Sequence, residues 1–188
     1  MLMTDDVRNG NGLVRPQSND LLQFTPSMTC KNEIIVGVAE FYTVPAPQML
    51  MCIGLGSCVG IAIYDVRAGV AGLAHAMLPR FDDGKDKQNA AKYADSVIYV
   101  MVDELIERGA TKANLRAKIA GGAQMFQFIS SDTLNIGLRN SDVAKETLKK
   151  ERIPLVAEDV GGTKGRTVRF NPTDGSYSIQ IGGEYSWI

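Results

Sequence analysis

The chain holds few groups able to do covalent or acid–base chemistry near neutral pH: three cysteines, Cys30, Cys52 and Cys58, and a single histidine, His75. The odd cysteine count and the lack of a Cys-x-x-Cys pair argue against a disulfide framework and against a zinc site. Any mechanism needing two imidazoles is excluded, so cysteine–histidine chemistry has to use His75. Cys58 sits in the least ordinary segment, Ile53-Gly54-Leu55-Gly56-Ser57-Cys58-Val59-Gly60, where an apolar run enters a glycine-rich turn. As a dinucleotide fingerprint the spacing fails, because Val59 occupies the third required glycine position. The next residues, Ile61-Ala62-Ile63-Tyr64, read as a strand and not as the helix that would receive a pyrophosphate. As a nucleophile turn, Gly56-Ser57-Cys58-Val59-Gly60 fits, although an α/β-hydrolase would place its histidine much further downstream. In that reading Cys58 attacks a carbonyl, and His75 stabilises the thiolate as an imidazolium and protonates the leaving group. Backbone N–H groups of the turn, those of Gly56 and Ser57 included, receive the oxyanion. The plainer reading is a buried structural cysteine and a core histidine; amide, ester and peptide substrates all stay open.

These groups must be positioned by the elements around them. Glu33–Ala39, Gln48–Ile53, Cys58–Tyr64, Val70–Leu78, Leu115–Ala120, Ile153–Ala157, Thr167–Phe170 and Tyr177–Ile181 have strand length and composition. Closing Cys58–Tyr64 and Gly69–Leu78 by a four-residue loop, Asp65-Val66-Arg67-Ala68, sets Cys58 directly opposite His75, with Cβ atoms ~4.5 to 5.5 Å apart. Ala74 and Ala76 on either side of His75 leave room beside its ring. A helix is expected over Ala90–Arg108, with Ala94, Val97, Ile98, Met101 and Leu105 on one stripe and Gly109 at the C-terminal cap. A second is expected from Asn140 or Ser141 as N-cap to Lys149 and Lys150. Pro79–Asn89 reads as the exposed or moving loop, and strict β-α-β alternation is absent.

The balance of 20 Lys+Arg against 21 Asp+Glu, with no basic run, argues against nucleic-acid binding. The apolar stretches are about half the ~20 residues a membrane-spanning helix needs, so no membrane insertion is expected. Without a signal-like start the expected compartment is the cytoplasm. Residues 1–31 read as a flexible tail and 32–188 as a single domain. The fold class is α/β, layered mixed β-sheets packed with helices, and no cofactor is expected.

Six motifs, in order, resemble the chemoreceptor glutamine deamidase CheD family. They are Gly54-Leu55-Gly56-Ser57-Cys58-Val59, Ala74-His75-Ala76-Met77-Leu78-Pro79, Lys92-Tyr93-Ala94-Asp95, Ala117 to Phe126, Ile136-Gly137-Leu138-Arg139-Asn140 and Glu158-Asp159-Val160-Gly161-Gly162. The resemblance covers about Glu33 to the C-terminus. It implies hydrolysis of selected glutamine side-chain amides on methyl-accepting chemotaxis receptors, with Cys58 as nucleophile and His75 as its partner. It also implies a layered fold related to toxin-type cysteine deamidases and binding to a CheC-type phosphatase. A third catalytic position, a threonine in the family, falls on Cys52, whose thiol is the weaker hydrogen-bonding group. The same residues leave two alternatives: a weakly active or inactive deamidase-fold binding module that regulates the phosphatase, and a receptor methylesterase.

Overall fold

The computed structural model describes residues 8–9, 33–84, 87–125 and 135–188. The strands in chain order are β1 (Arg8–Asn9), β2 (Glu33–Ile35), β3 (Phe41–Pro45), β4 (Met49–Leu55), β5 (Val59–Asp65), β6 (Val70–Ala76), β7 (Arg116–Gly121), β8 (Leu155–Val160), β9 (Arg166–Phe170), β10 (Tyr177–Ile181) and β11 (Glu184–Trp187). Helix α1 (Ala94–Glu107) and helix α2 (Ile136–Lys150) complete the elements that matter here. The strands form two mixed sheets, one ordered β1-β3-β6-β5-β7-β8 and the other β11-β10-β9-β4-β2.

Three layers result. Strands β5 and β6 are buried along their whole length, which is why their sequences are near-continuous apolar runs instead of alternating ones. Their side chains still alternate in destination. Val59, Ile61, Ile63, Ala74 and Ala76 pack against Val97, Ile98, Met101 and Leu105 of α1. Ala62, Tyr64, Ala71 and Leu73 pack instead against Leu50, Leu55, Val168, Phe170 and Tyr177 of the second sheet. By the same two-residue period the side chains of Cys58 and His75 belong to the inter-sheet layer.

The expected strands are present, several with shortened or shifted ends: Glu33–Ala39 ends at Ile35, Val70–Leu78 ends at Ala76, and Ile153–Ala157 moves to Leu155–Val160. Strand β3 was not among those expected, although Phe41-Tyr42-Thr43-Val44 is rich in β-forming residues. One β-α-β crossover does occur, since β7 and β8 pair in parallel across α2. The expected first helix splits at Tyr93, where the chain is extended and Lys92 O accepts from both Met77 N and Leu78 N. Its apolar stripe is buried as expected, and Gly109 takes φ +99° at the cap. The Pro79–Asn89 loop is tied down in part, because Phe81 N donates to Asp95 at 2.9 Å and its ring packs edge-on against Tyr93. The 1–31 segment and Cys30 lie outside the described residues, save for Arg8–Asn9, which pair with β3.

Two corrections bear on the site. The β5–β6 loop is Val66-Arg67-Ala68-Gly69, with Asp65 paired to Val70 inside the ladder. Gly69 takes φ +66°, a conformation that belongs to a turn, while Asp65 accepts from Arg67 N and Ala68 N and so closes it. Each arm therefore shifts by one residue, and His75 pairs with Gly60, not with Cys58. Helix α2 starts at Ile136, four residues before the expected N-cap, and Asn140 and Ser141 are buried inside it. The reason is close packing: a Cβ at Gly137 would lie 2.6 Å from Gly122 O and 2.7 Å from Ala123 O.

That contact reverses the usual rule that alanine outperforms glycine within a helix by ~1 kcal/mol. Gly137→Ala is expected to destabilise the protein by about 1–3 kcal/mol, because both obstructing atoms are backbone and cannot swing away. A shift of the urea midpoint in denaturant unfolding measures it.

Candidate active site

His75 is placed by backbone pairing on two sides. Its N–H donates to Glu40 O at 3.0 Å, and its carbonyl accepts from Ala39 N at 2.9 Å. The ring is buried, with Nδ1 3.4 Å from Val36 O and Nε2 without a partner among the described residues. A carbonyl can only accept, so Nδ1 carries a proton, and in the neutral ring Nε2 presents a bare lone pair. Burial pushes the imidazole below its ordinary value, opposed by the Val36 carbonyl and by the nearby Glu40 carboxylate. The space at its pairing position comes from Gly60, where a Cβ would meet Tyr177 Oη at 2.7 Å and Leu55 Cδ1 at 2.9 Å.

Cys58 lies one residue before β5, at the end of a turn prepared by a bulge in β4 between Cys52 and Leu55. Gly54 takes φ +74° there, and its carbonyl accepts from Gly56 N at 2.9 Å. The register makes Cys58 and His75 diagonal neighbours on one face, a spacing of ~7–8 Å between backbones that long or planar side chains can bridge. The expected directly opposed pair is thus corrected to a diagonal one, while the shared face survives. Cys58 is half-buried, and desolvation pushes its thiol up, with its own backbone N–H acting in the opposite sense. Both directions favour the uncharged forms of the two groups, whereas the reading from sequence has an imidazolium stabilising the thiolate.

The donors of the turn also differ from expectation. The Gly56 N–H is taken by Gly54 O, whereas those of Ser57 and Cys58 bond to no other described residue. Gly56 contributes space instead, since a Cβ there would meet Met125 Cγ at 3.3 Å. The turn is held by Gly122 N to Cys58 O and Ala123 N to Gly56 O, both 2.8 Å. Behind it, Arg166 pairs with Asp159 and donates to Gly121 O at 3.2 Å and Gly161 O at 2.9 Å.

Cys52 is wholly buried in the same inter-sheet layer, its Sγ 4.0 Å from Ala74 O, the residue before His75. Burial, reinforced by Cys58, pushes its thiol far above the ordinary range. Sequence reasoning missed Glu40, Tyr177 and Asn140. Tyr177 donates to Gly60 O at 3.2 Å, and Asn140 donates to Ser57 O and Met77 O at 2.9 and 3.0 Å. Only the Ile136–Asn140 motif signals any of them, and there the capping chemistry of Asn140 points to a helix start and not to a site. Among the described residues no three His, Cys, Asp or Glu side chains group as metal ligands.

A cysteine at a glycine turn and a buried histidine with a free nitrogen, set between two sheets, define a candidate thiol-dependent acyl-transfer site. The chain belongs to the CheD family: it matches the family described as CheD chemotactic sensory transduction over residues 77–181. It is 45% identical over 160 residues to the Probable chemoreceptor glutamine deamidase CheD of Geobacillus kaustophilus, covering 84% of this chain and 97% of that one. A match covering 84% of 188 residues necessarily runs across Cys52, Cys58 and His75. It is 49% identical over 155 residues to the corresponding Moorella thermoacetica protein, covering 80% of this chain and 92% of that one. The Chemoreceptor glutamine deamidase CheD of Halalkalibacterium halodurans is 45% identical over 152 residues, covering 79% of this chain and 94% of that one. Among solved structures, the Bacillus licheniformis hypothetical protein YfiH overlaps 64% of this chain and 50% of its own, with a TM-score of 0.41 at 21% identity.

The lowering of the His75 imidazole by burial has a consequence for stability. The unfolded chain, with an ordinary imidazole value of 6.5, binds a proton that the folded chain resists. Its contribution is therefore complete above that value and is lost as pH falls below it. His75→Gln is expected to flatten this part of the acid decline while leaving the carboxylate part. Urea midpoints at about pH 7.5 and about pH 5.5 test it.

Proposed function

We propose that this protein is a chemoreceptor glutamine deamidase that converts selected receptor glutamines to glutamate through a Cys58 thioester. Family membership over most of the chain carries the activity. The observation that supports the residue roles is the Nε2 of the sole histidine, unpartnered among the described residues and on the same face as Cys58.

His75 Nε2 takes the Cys58 proton as Sγ attacks the side-chain carbonyl, and the resulting imidazolium is favoured by the Glu40 carboxylate. The tetrahedral oxygen is received by the N–H groups of Cys58 and Ser57. The same proton then passes to the amide nitrogen, the C–N bond breaks and ammonia leaves. Water, deprotonated by Nε2, attacks the thioester; glutamate departs and Cys58 recovers its proton. A neutral starting pair suits this sequence, because the proton moves only when the carbonyl is in place. Cys52 acts through the Ala74 carbonyl beside His75 as the weak counterpart of the family's threonine.

The proposed substrate lies on the cytoplasmic domains of methyl-accepting receptors, so a cytoplasmic location is part of the proposal. Among the described residues no helix is long and apolar enough to cross a membrane. A CheC-type phosphatase is proposed as a second partner on family grounds, and residues 32–188 are proposed as the deamidase domain.

Incubation with receptor cytoplasmic fragments should release ammonia and give the mass gain of an amide becoming an acid. Cys58→Ser and His75→Asn should both abolish it, and full activity in either folded variant overturns the assignment. Cys52→Thr should raise turnover roughly two- to tenfold, the value of one better hydrogen bond. Equal rates for Cys52→Thr, Cys52→Ala and the unaltered protein would make Cys52 a spectator.

A further inference from the structure

Asn140 is wholly buried on α2, where a polar amide is tolerated only if it is paired. Its Nδ2 donates to Ser57 O at 2.9 Å and to Met77 O at 3.0 Å, while Oδ1 has no partner among the described residues. The flipped amide would set Oδ1 against two other oxygens, so the orientation is fixed by the carbonyls. One carbonyl belongs to the residue before Cys58 and the other lies two residues beyond His75. A single side chain thus ties the glycine turn to the end of β6, at the cost of an orphaned acceptor that packing alone would not demand.

Peptide geometry carries this to the Cys58 N–H. In a planar trans peptide the Ser57 C=O and the Cys58 N–H point in opposite directions. Holding the Ser57 carbonyl on the α2 side turns the Cys58 N–H away from the helix. The far side of Cys58 is fixed as well, since its carbonyl accepts from Gly122 N at 2.8 Å.

We infer that Asn140 is a positioning residue for the reaction: by fixing the Ser57–Cys58 peptide it aims the Cys58 N–H at the oxygen that turns negative when Sγ attacks. The inference rests on the deamidase reading and on Cys58 as its nucleophile. The charge exists only in the tetrahedral state, so loss of the aim costs turnover and not affinity.

Asn140→Leu keeps the side-chain size and removes both donated bonds; Asn140→Ser keeps one hydroxyl donor. Deamidation of a receptor cytoplasmic fragment gives kcat and KM, and alkylation of Cys58 by iodoacetamide gives thiol reactivity without any oxyanion. For Asn140→Leu, kcat should fall about 100-fold, with KM and the alkylation rate each within about twofold of the unaltered protein. Asn140→Ser should lose less. Unchanged turnover in a folded variant, a loss confined to KM, or alkylation falling in step with turnover would each overturn the inference. Failure of both variants to fold would assign Asn140 to the fold and overturn it too. A Cys58→Ser control separates the underlying reading: deamidation that survives it refutes the nucleophile whatever Asn140 does.

Discussion

Burying an imidazole between two sheets, with one nitrogen bonded and the other bare, is the constraint that shapes the rest of the molecule. A buried ring nitrogen without a partner costs free energy that packing has to offset. The surroundings show how the space is made and then closed. Gly60 removes the side chain that would otherwise fill the pairing position, and Leu55 and Tyr177 close around the gap from the facing sheet. The six-stranded sheet can carry such a defect because β5 and β6 are covered on both faces, by α1 and α2 on one side and by β4, β9 and β10 on the other.

The same burial decides the chemistry. Desolvation lowers the histidine and raises the half-buried Cys58, so both effects favour the uncharged forms. An enzyme with a permanently ionised thiolate would be exposed to adventitious electrophiles at all times. In the proposed reaction the proton leaves sulfur only in concert with attack, and Nε2 is the acceptor. The backbone around Cys58 is accordingly fixed from several directions: Gly122 N on its carbonyl, Ala123 N on the carbonyl of Gly56, and Asn140 on that of Ser57. Behind these contacts, the buried Arg166–Asp159 pair holds the Gly121 and Gly161 carbonyls.

The sequence makes legible whatever a local pattern encodes. The apolar runs of β4 to β10 and the Ala94–Leu105 stripe come from periodicity, and the glycine turn marks Cys58. The expected hairpin register misses by one residue on each arm because Gly69 could serve either strand or turn, and its positive φ decides for the turn. An even total shift keeps Cys58 and His75 on one face, which is why the site stays recognisable. The expected start of α2 is misplaced because Asn140 and Ser141 carry capping chemistry that here is spent elsewhere: Asn140 on Ser57 and Met77, Ser141 on the Gly137 carbonyl. Glu40, Tyr177 and the Val36 carbonyl reach the site only through tertiary pairing, for which no local signal exists. The protonation states are likewise out of reach of the sequence, since burial and not residue type sets them.

The mechanism stands or falls on a neutral resting site, with Nε2 of His75 as the bare acceptor. Because His75 is the sole histidine, protein labelled with ¹⁵N-histidine gives the signals of one imidazole. At about pH 7 a neutral site predicts a protonated Nδ1 and a pyridine-like Nε2, with the ring charging only below the ordinary imidazole range. Two protonated ring nitrogens at that pH, reverting to a neutral ring in Cys58→Ser, would reveal a resting thiolate–imidazolium pair and contradict it.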